Sequence, residues 1–253
     1  MESETQPDTQ GQRAAERTVL TGRPLVDGVP VDGPTLELDP ESTASSLLRQ
    51  SSRPLVSDPG SKTWATLLER PDSGETDRPV LVQWVSPGSP VPPEHYHPKT
   101  ETFTALEGQL TVVHGGDPIR LTPGESLTID PKVGHTFRND TDETVAFKAE
   151  LPSMRTVKGL YTAWGLTHER GSDGDGAYTQ PGVVQSLLIA IDLSTETTMT
   201  GVPERVQRLL SATVGRVARL SGTTGIDEAY LDASFWNRHV EQPPWEGSTD
   251  VAY

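Results

Sequence analysis

His95-Tyr96-His97-Pro98-Lys99-Thr100-Glu101, followed by Gly108 and further on by Pro131, His135 and Asn139, is the stretch on which the reading of this chain turns. One residue separates His95 from His97. On a β-strand, side chains at i and i+2 share a face, so both rings can reach one ion while Tyr96 points the other way. Pro98 breaks the strand before Glu101 opens the run Glu101-Thr102-Phe103-Thr104-Ala105-Leu106, whose threonine and aromatic content suits a second strand. His135 follows the turn residues Pro131 and Gly134, and strand-forming residues resume after it, so a return strand can bring its ring to the same ion from the opposite wall. The spacing therefore predicts one divalent transition metal (iron, manganese, nickel, cobalt or zinc) held by His95, His97, Glu101 and His135. Because imidazole must be neutral to ligate, occupancy is expected to fall below about pH 6.

These residues resemble the two motifs of the cupin superfamily, which run approximately G-x5-H-x-H-x3,4-E-x6-G and G-x5-P-x-G-x2-H-x3-N. Gly88, His95, His97, Glu101 and Gly108 follow the first, and Gly124, Pro131, His135 and Asn139 the second. The intervals Gly88 to His95 and Gly124 to Pro131 are each one residue longer than the pattern, and Gly134 stands directly before His135, one residue closer to Pro131. The resemblance covers roughly residues 60 to 152 and implies a metal-binding jelly-roll β-barrel. It says little about the reaction.

The rest of the chain divides around that barrel into four pieces: a polar tail over residues 1–18, an extended arm over 19–60, the barrel over 61–152, and a helical extension over 153–253. In the arm, the pair Leu25-Val26 and the alternation Leu36-Glu37-Leu38 are suited to lying along a sheet. Barrel strands are expected at Trp64 to Leu68, Val80 to Val85, Thr102 to Val113, Ile119 to Leu121, Ser126 to Ile129, His135 to Arg138 and Val145 to Glu150, with Gly115-Gly116-Asp117 as a hairpin tip. Gly108 and Gly124 are expected in backbone conformations that a Cβ would hinder. After Pro152 the period becomes helical. Val157 to Leu166 reads as one helix and the apolar Val183 to Leu193 as a buried one. A third, entered at Pro203 and stopped at Gly222, carries the stripe Val206, Leu209, Val214 and Val217, expected to be buried against the barrel or a second subunit. Gly171 to Gly176 is a loop without the ligand register of an EF-hand. The fold class expected is mainly β: a cupin jelly-roll β-barrel with an N-terminal arm and a C-terminal α-helical extension.

Composition bounds the function. The 253 residues include no cysteine, which excludes disulfides, iron–sulfur ligation and a cysteine nucleophile. Thirty-six acidic against 21 basic residues give a net charge of −15, which opposes nucleic acid and anionic lipid. The start Met1-Glu2-Ser3-Glu4 is unlike a basic secretory signal, and no apolar run approaches the roughly 20 residues of a membrane span. A cytoplasmic, acidic protein is expected, without nucleic-acid or membrane partners and assembled as a homodimer.

Strand parity places Phe103 and Ala105 after Glu101, and Phe137 after His135, on the ligand side as the apolar lining of a small pocket, and turns Tyr96 and Arg138 away. His114, His168 and His239 are read as surface or hydrogen-bonded histidines. Three imidazoles and one carboxylate leave an octahedral ion two open positions, and Glu101 is the candidate catalytic group as well as a ligand. Three functions stay open: a mononuclear metalloenzyme, oxygenase or isomerase, acting on a small organic molecule; a non-catalytic small-molecule binding or sensing protein; and a structural, oligomerising protein.

Overall fold

The computed structural model describes residues 18–71, 78–172, 177–220 and 224–245. Residues 1–17 of the expected tail, residues 173–176 of the glycine-aspartate loop, Gly222 and the side chain of Val217 lie outside the described residues. In the arm, β1 (Val19–Thr21) pairs antiparallel with β4 (Leu36–Leu38), and β2 (Leu25–Val26) with β3 (Val29–Pro30) around an Asp27-Gly28 turn in which both residues have positive φ. The arm also contains a helix that the apolar pattern did not announce, α1 (Thr43–Gln50), capped by the Ser42 hydroxyl on the amide of Ser45.

The remaining strands are β5 (Val56–Asp58), β6 (Thr63–Glu69), β7 (Val80–Val85), β8 (His95–Tyr96), β9 (Glu101–Glu107), β10 (Leu110–His114), β11 (Asp117–Leu121), β12 (Ser126–Ile129), β13 (His135–Arg138), β14 (Val145–Glu150) and β15 (Thr198–Met199). They form two antiparallel sheets, a six-stranded one in the order β12-β9-β14-β7-β6-β5 and a five-stranded one in the order β11-β10-β13-β8-β15. The sheets face each other as a jelly roll across a core that includes Phe103, Ala105, Phe147 and Ala149 from the first and Leu110, Val112 and Leu121 from the second. The outer face of the six-stranded sheet is covered too. Trp64, Val82, Trp84 and Ala146 pack beneath Leu36 and Leu38 of the arm and Leu48 of α1. Two covered faces explain why Val80 to Val85 reads as a continuous apolar run interrupted only by Gln83: all six residues are buried.

The single expected run from Thr102 to Val113 is two strands, broken at Gly108, which adopts φ 67°. A Cβ there would stand 3.0 Å from Val145 Cγ2. Gly108→Ala is therefore expected to cost about 1–2 kcal/mol from the left-handed backbone alone, read as a lower urea midpoint with an unchanged slope. An unchanged midpoint would show that the turn tolerates a side chain.

The helices are α2 (Met154–Arg170), α3 (Val183–Leu193), α4 (Glu204–Leu220) and α5 (Ala233–His239), with a 3-10 turn at Glu228–Leu231. α2 runs beyond both expected ends and packs Val157, Tyr161 and Trp164 into the barrel core together with Trp236 of α5. Two expectations need correction. α3 is buried only in its second half, at Leu188, Ile189 and Ile191, while Val183 and Val184 are exposed. The barrel covers little of the stripe of α4: this helix packs on α3 and on β15 at the edge of the five-stranded sheet, leaving Leu209 62% exposed and Val206 41%, with Leu210 and Val214 half-buried. Period alone marks the apolar face of a helix, not the element that covers it. Among the described residues no helix is long and apolar enough to cross a membrane.

Candidate metal centre

Two sheets converge on the four expected ligands. His95 lies directly opposite His135 where β8 pairs with β13, and Glu101 opens β9 on the facing sheet. The one-residue shift in the second motif is absorbed in the turn: Lys132 takes φ 67° and its amide donates to the His97 carbonyl at 2.7 Å. Gly134 lets the neighbouring chain close in, since a Cβ on it would stand 2.7 Å from Glu94 Oε1 and 3.2 Å from Thr200 Cγ2. The three imidazole centroids form a triangle with sides of 4.7, 4.8 and 5.3 Å. One ligand atom from each of the four residues lies within 4.8 Å of the others. An ion bound at about 2.1 Å needs its donors within about 4.2 Å of one another, so the set has to draw in by only about half an ångström.

The hydrogen bonds fix which nitrogen faces inward. Nδ1 of His95 meets the Pro93 carbonyl at 2.8 Å, Nδ1 of His97 the Glu196 carbonyl at 3.0 Å, and Nδ1 of His135 the Val133 carbonyl at 3.0 Å. A carbonyl can only accept, so each Nδ1 carries the hydrogen and each neutral ring keeps its lone pair on Nε2. His97 Nε2 is buried without a hydrogen-bond partner, 3.3 Å from Glu101 Oε2. A lone pair facing a carboxylate is repulsive unless a cation lies between them, and this orphaned atom is the observation that the donor set fits a metal. His135 Nε2 stands 2.8 Å from the same oxygen, and in its protonated form, with a hydrogen on both nitrogens, the ring donates to the carboxylate.

Electrostatics follow from that pair. Burial alone would raise the Glu101 carboxyl, but the hydrogen bond from His135 and the attraction of its charge outweigh it and hold the group at about 2. Burial pulls His135 down as well, and the Glu101 carboxylate overrides it, so its pKa ends above the ordinary value. His95, penalised chiefly by burial, falls to about 4 and stays neutral. Proton competition for the centre thus extends above the pH of about 6 expected from unperturbed imidazole.

The other residues singled out in the sequence separate into wall, scaffold and surface. Phe103 lies 6.3 Å from the His135 ring and 5.8 Å from Phe137, which in turn stacks edge-on to Phe147 at 5.0 Å. Ala105 sits opposite Phe147, farther along the barrel. Arg138 is turned to Asp140 on the surface, and Tyr96 pairs with Thr198 at half burial. Asn139 is a strut: its amide donates to the Val85 and Glu143 carbonyls while its oxygen accepts from Thr141. His168 is tied to Ser57 and His239 stacks on Phe235. His114 lies opposite His135 in the five-stranded sheet, and its Nε2 is buried without a partner. Two open cavities, of about 570 Å³ between α3 and α4 and about 690 Å³ beside Trp64 and Tyr178, include none of the four ligands in their walls.

A family model described as a cupin domain matches residues 81–149, the interval that contains both motifs and all four converging side chains. Residues 81–149 are a cupin domain. The cupin region is 37% identical over 62 residues to quercetin 2,3-dioxygenase of Bacillus subtilis, a match covering 24% of this chain and 18% of that protein. The chain therefore spans less than a fifth of the length of that curated relative. Among solved structures, the polyketide cyclase RemF of Streptomyces resistomycificus is 25% identical with a TM-score of 0.34, covering 40% of this chain and 73% of that one. The salicylate 1,2-dioxygenase of Pseudoaminobacter salicylatoxidans is 27% identical with a TM-score of 0.30, covering 34% and 26%. Beside this cupin centre stands a group that sequence reasoning missed. Glu196 and Thr197, in the turn between α3 and β15, reach His97 from 99 and 100 residues away, and no local spacing marks them.

Proposed function

We propose that this cupin holds one divalent transition metal through His95, His97, Glu101 and His135. With it the protein oxidises a small organic molecule bearing adjacent oxygen donors, such as an enol, diol or keto acid, using dioxygen. The clustering of one ligand atom from each of the four residues within 4.8 Å, with Nε2 of His97 left unpartnered beside Glu101, carries the metal part of the reading. The oxidative part is supported by the 62-residue similarity to quercetin 2,3-dioxygenase. His95, His97, Glu101 and His135 would hold the ion, which would supply Lewis acidity to the oxygen donors of the substrate. Glu101 lowers the net charge of the centre and is the buried carboxylate placed to accept a proton from a bound hydroxyl. Phe103, beside the His135 ring and packed on Phe137, gives the ligands an apolar neighbour.

Protein loaded with iron(II) or manganese is expected to consume oxygen with such a substrate and to stop on chelation. Glu101→Gln should keep part of the metal while lowering turnover and shifting its pH dependence. Tight binding of the substrate without oxygen uptake or product would replace the enzyme with a binding or sensing protein. Conversion that proceeds at equal rate without oxygen would replace oxidation with isomerisation.

A further inference from the structure

The turn that joins α3 to β15 lies outside the matched cupin region, yet it holds one of the ligands. His97 is 2% exposed, and its Nδ1 faces two acceptors: the Glu196 carbonyl at 3.0 Å and Thr197 Oγ1 at 3.2 Å. Thr197 is itself buried. The turn is anchored from both sides. The Ser153 hydroxyl, which also caps α2, donates to the Glu196 carboxylate. Gln207 of α4 accepts from the Met199 amide at 3.1 Å and donates to the Met199 carbonyl at 2.7 Å, fixing β15 along β8 opposite His95.

We infer that Thr197 is a positioning residue of the metal centre, whose hydroxyl, together with the Glu196 carbonyl, fixes the Nδ1–H tautomer and ring plane of His97 so that Nε2 is presented to the ion. This rests on the metal-site reading above. The physical case is the donor count. Nδ1–H meets a carbonyl that can only accept, so the hydroxyl at 3.2 Å accepts a share of the same hydrogen. A ring flip would carry the buried Nδ1–H away from both acceptors it now has. Partners in this position raise ligand basicity and set orientation, and losing one weakens metal binding by about 10-fold to 100-fold. The helical region is then part of the centre, since it supplies the acceptors for a ligand that lies just beyond the end of β8.

Thr197→Val keeps the shape and removes the acceptor; Thr197→Ser restores it. The dissociation constant for cobalt(II) or zinc(II), measured by competition with a chelating dye, is expected to rise about 10-fold in Thr197→Val and to stay within about twofold of the parent in Thr197→Ser. Melting of the metal-free proteins should be nearly unchanged, and the cobalt absorption spectrum should shift only in the Val variant. In the metal-free parent, nitrogen NMR of the His97 ring should report the Nδ1–H tautomer, with the other tautomer growing in Thr197→Val. Equal affinity and an equal tautomer ratio in Val and parent would overturn the role of Thr197. A parent that binds no divalent metal would instead sink the metal-site reading, and the tautomer ratio would still decide whether Thr197 controls His97.

Discussion

Replacing His135 with alanine is expected to empty the centre of metal and also to destabilise the metal-free protein by about 3–5 kcal/mol. The two effects have different origins. Metal is lost because one of four donors on a single ion is gone, and the remaining three must hold it against water. The stability loss comes from Glu101, whose carboxylate is 4% exposed and paired at 2.8 Å with the His135 imidazolium. Removing one partner of such a pair strands a buried charge, which costs far more than the intact pair contributes. Replacing both partners with apolar groups, as in Glu101→Leu with His135→Phe, should therefore return stability to within about 1 kcal/mol of the parent while metal stays absent. Urea titrations in chelator and elemental analysis separate the outcomes. Unaltered stability of His135→Ala in chelator would show that the empty protein does not hold the ion pair. Metal retained at one equivalent, in this variant or in His95→Ala, His97→Ala or Glu101→Ala, would refute shared ligation.

How much of this was legible in the sequence depends on the reach of each signal. The clustering of His95, His97, Glu101 and His135 was, because each signal is local: one residue separates the two histidines at the end of β8, and Glu101 and His135 each follow a turn that reorients the chain. The break at Gly108 was half-legible; the glycine was marked as special, but the strand was still read through it. α1 was missed because Thr43–Gln50 is short and its apolar content is a single Leu47-Leu48 pair, so only the Ser42 cap pointed to it. The stripe of α4 is a different case: periodicity marked the apolar face, but of the two covers expected the barrel leaves Val206 and Leu209 exposed. The Thr197 contact was illegible in principle. A threonine in a polar inter-helix turn looks like any other until β15 adds itself to the sheet beside β8 and carries the turn onto His97.

The affinity for metal is expected to fall about tenfold for each pH unit over a range that begins above pH 6.5. Each of the three titrating groups acts at a different pH. Protonated His135 carries on Nε2 a hydrogen whose bond Glu101 accepts, and binding an ion requires that proton to leave. Although burial works against it, the carboxylate holds the pKa of His135 above its ordinary value, so the competition starts on the alkaline side of a normal histidine. His95 has been lowered to about 4, chiefly by burial, and adds a second competing proton only near that pH; Glu101, at about 2, stays a carboxylate throughout. The stability of the metal-free fold takes the signs that linkage requires. The raised His135 contributes stability that is fully present below 6.5 and is lost as pH rises through its folded value. The depressed Glu101 contributes stability present above 4.5 and lost as pH falls toward 2. Between 6.5 and 4 the unfolded chain takes up a proton at His95 that the folded chain refuses, which erodes stability on the acid side. Competition titrations between about pH 5.5 and about pH 7.5, with proton release measured in two buffers, give the slope directly. Glu101→Gln removes the carboxylate that raises His135, so the onset of the fall should move to lower pH in that variant, leaving affinity weaker but flatter near neutrality. An affinity independent of pH in the parent across that window, or an onset that Glu101→Gln does not move, would mean that His135 binds its proton independently of Glu101.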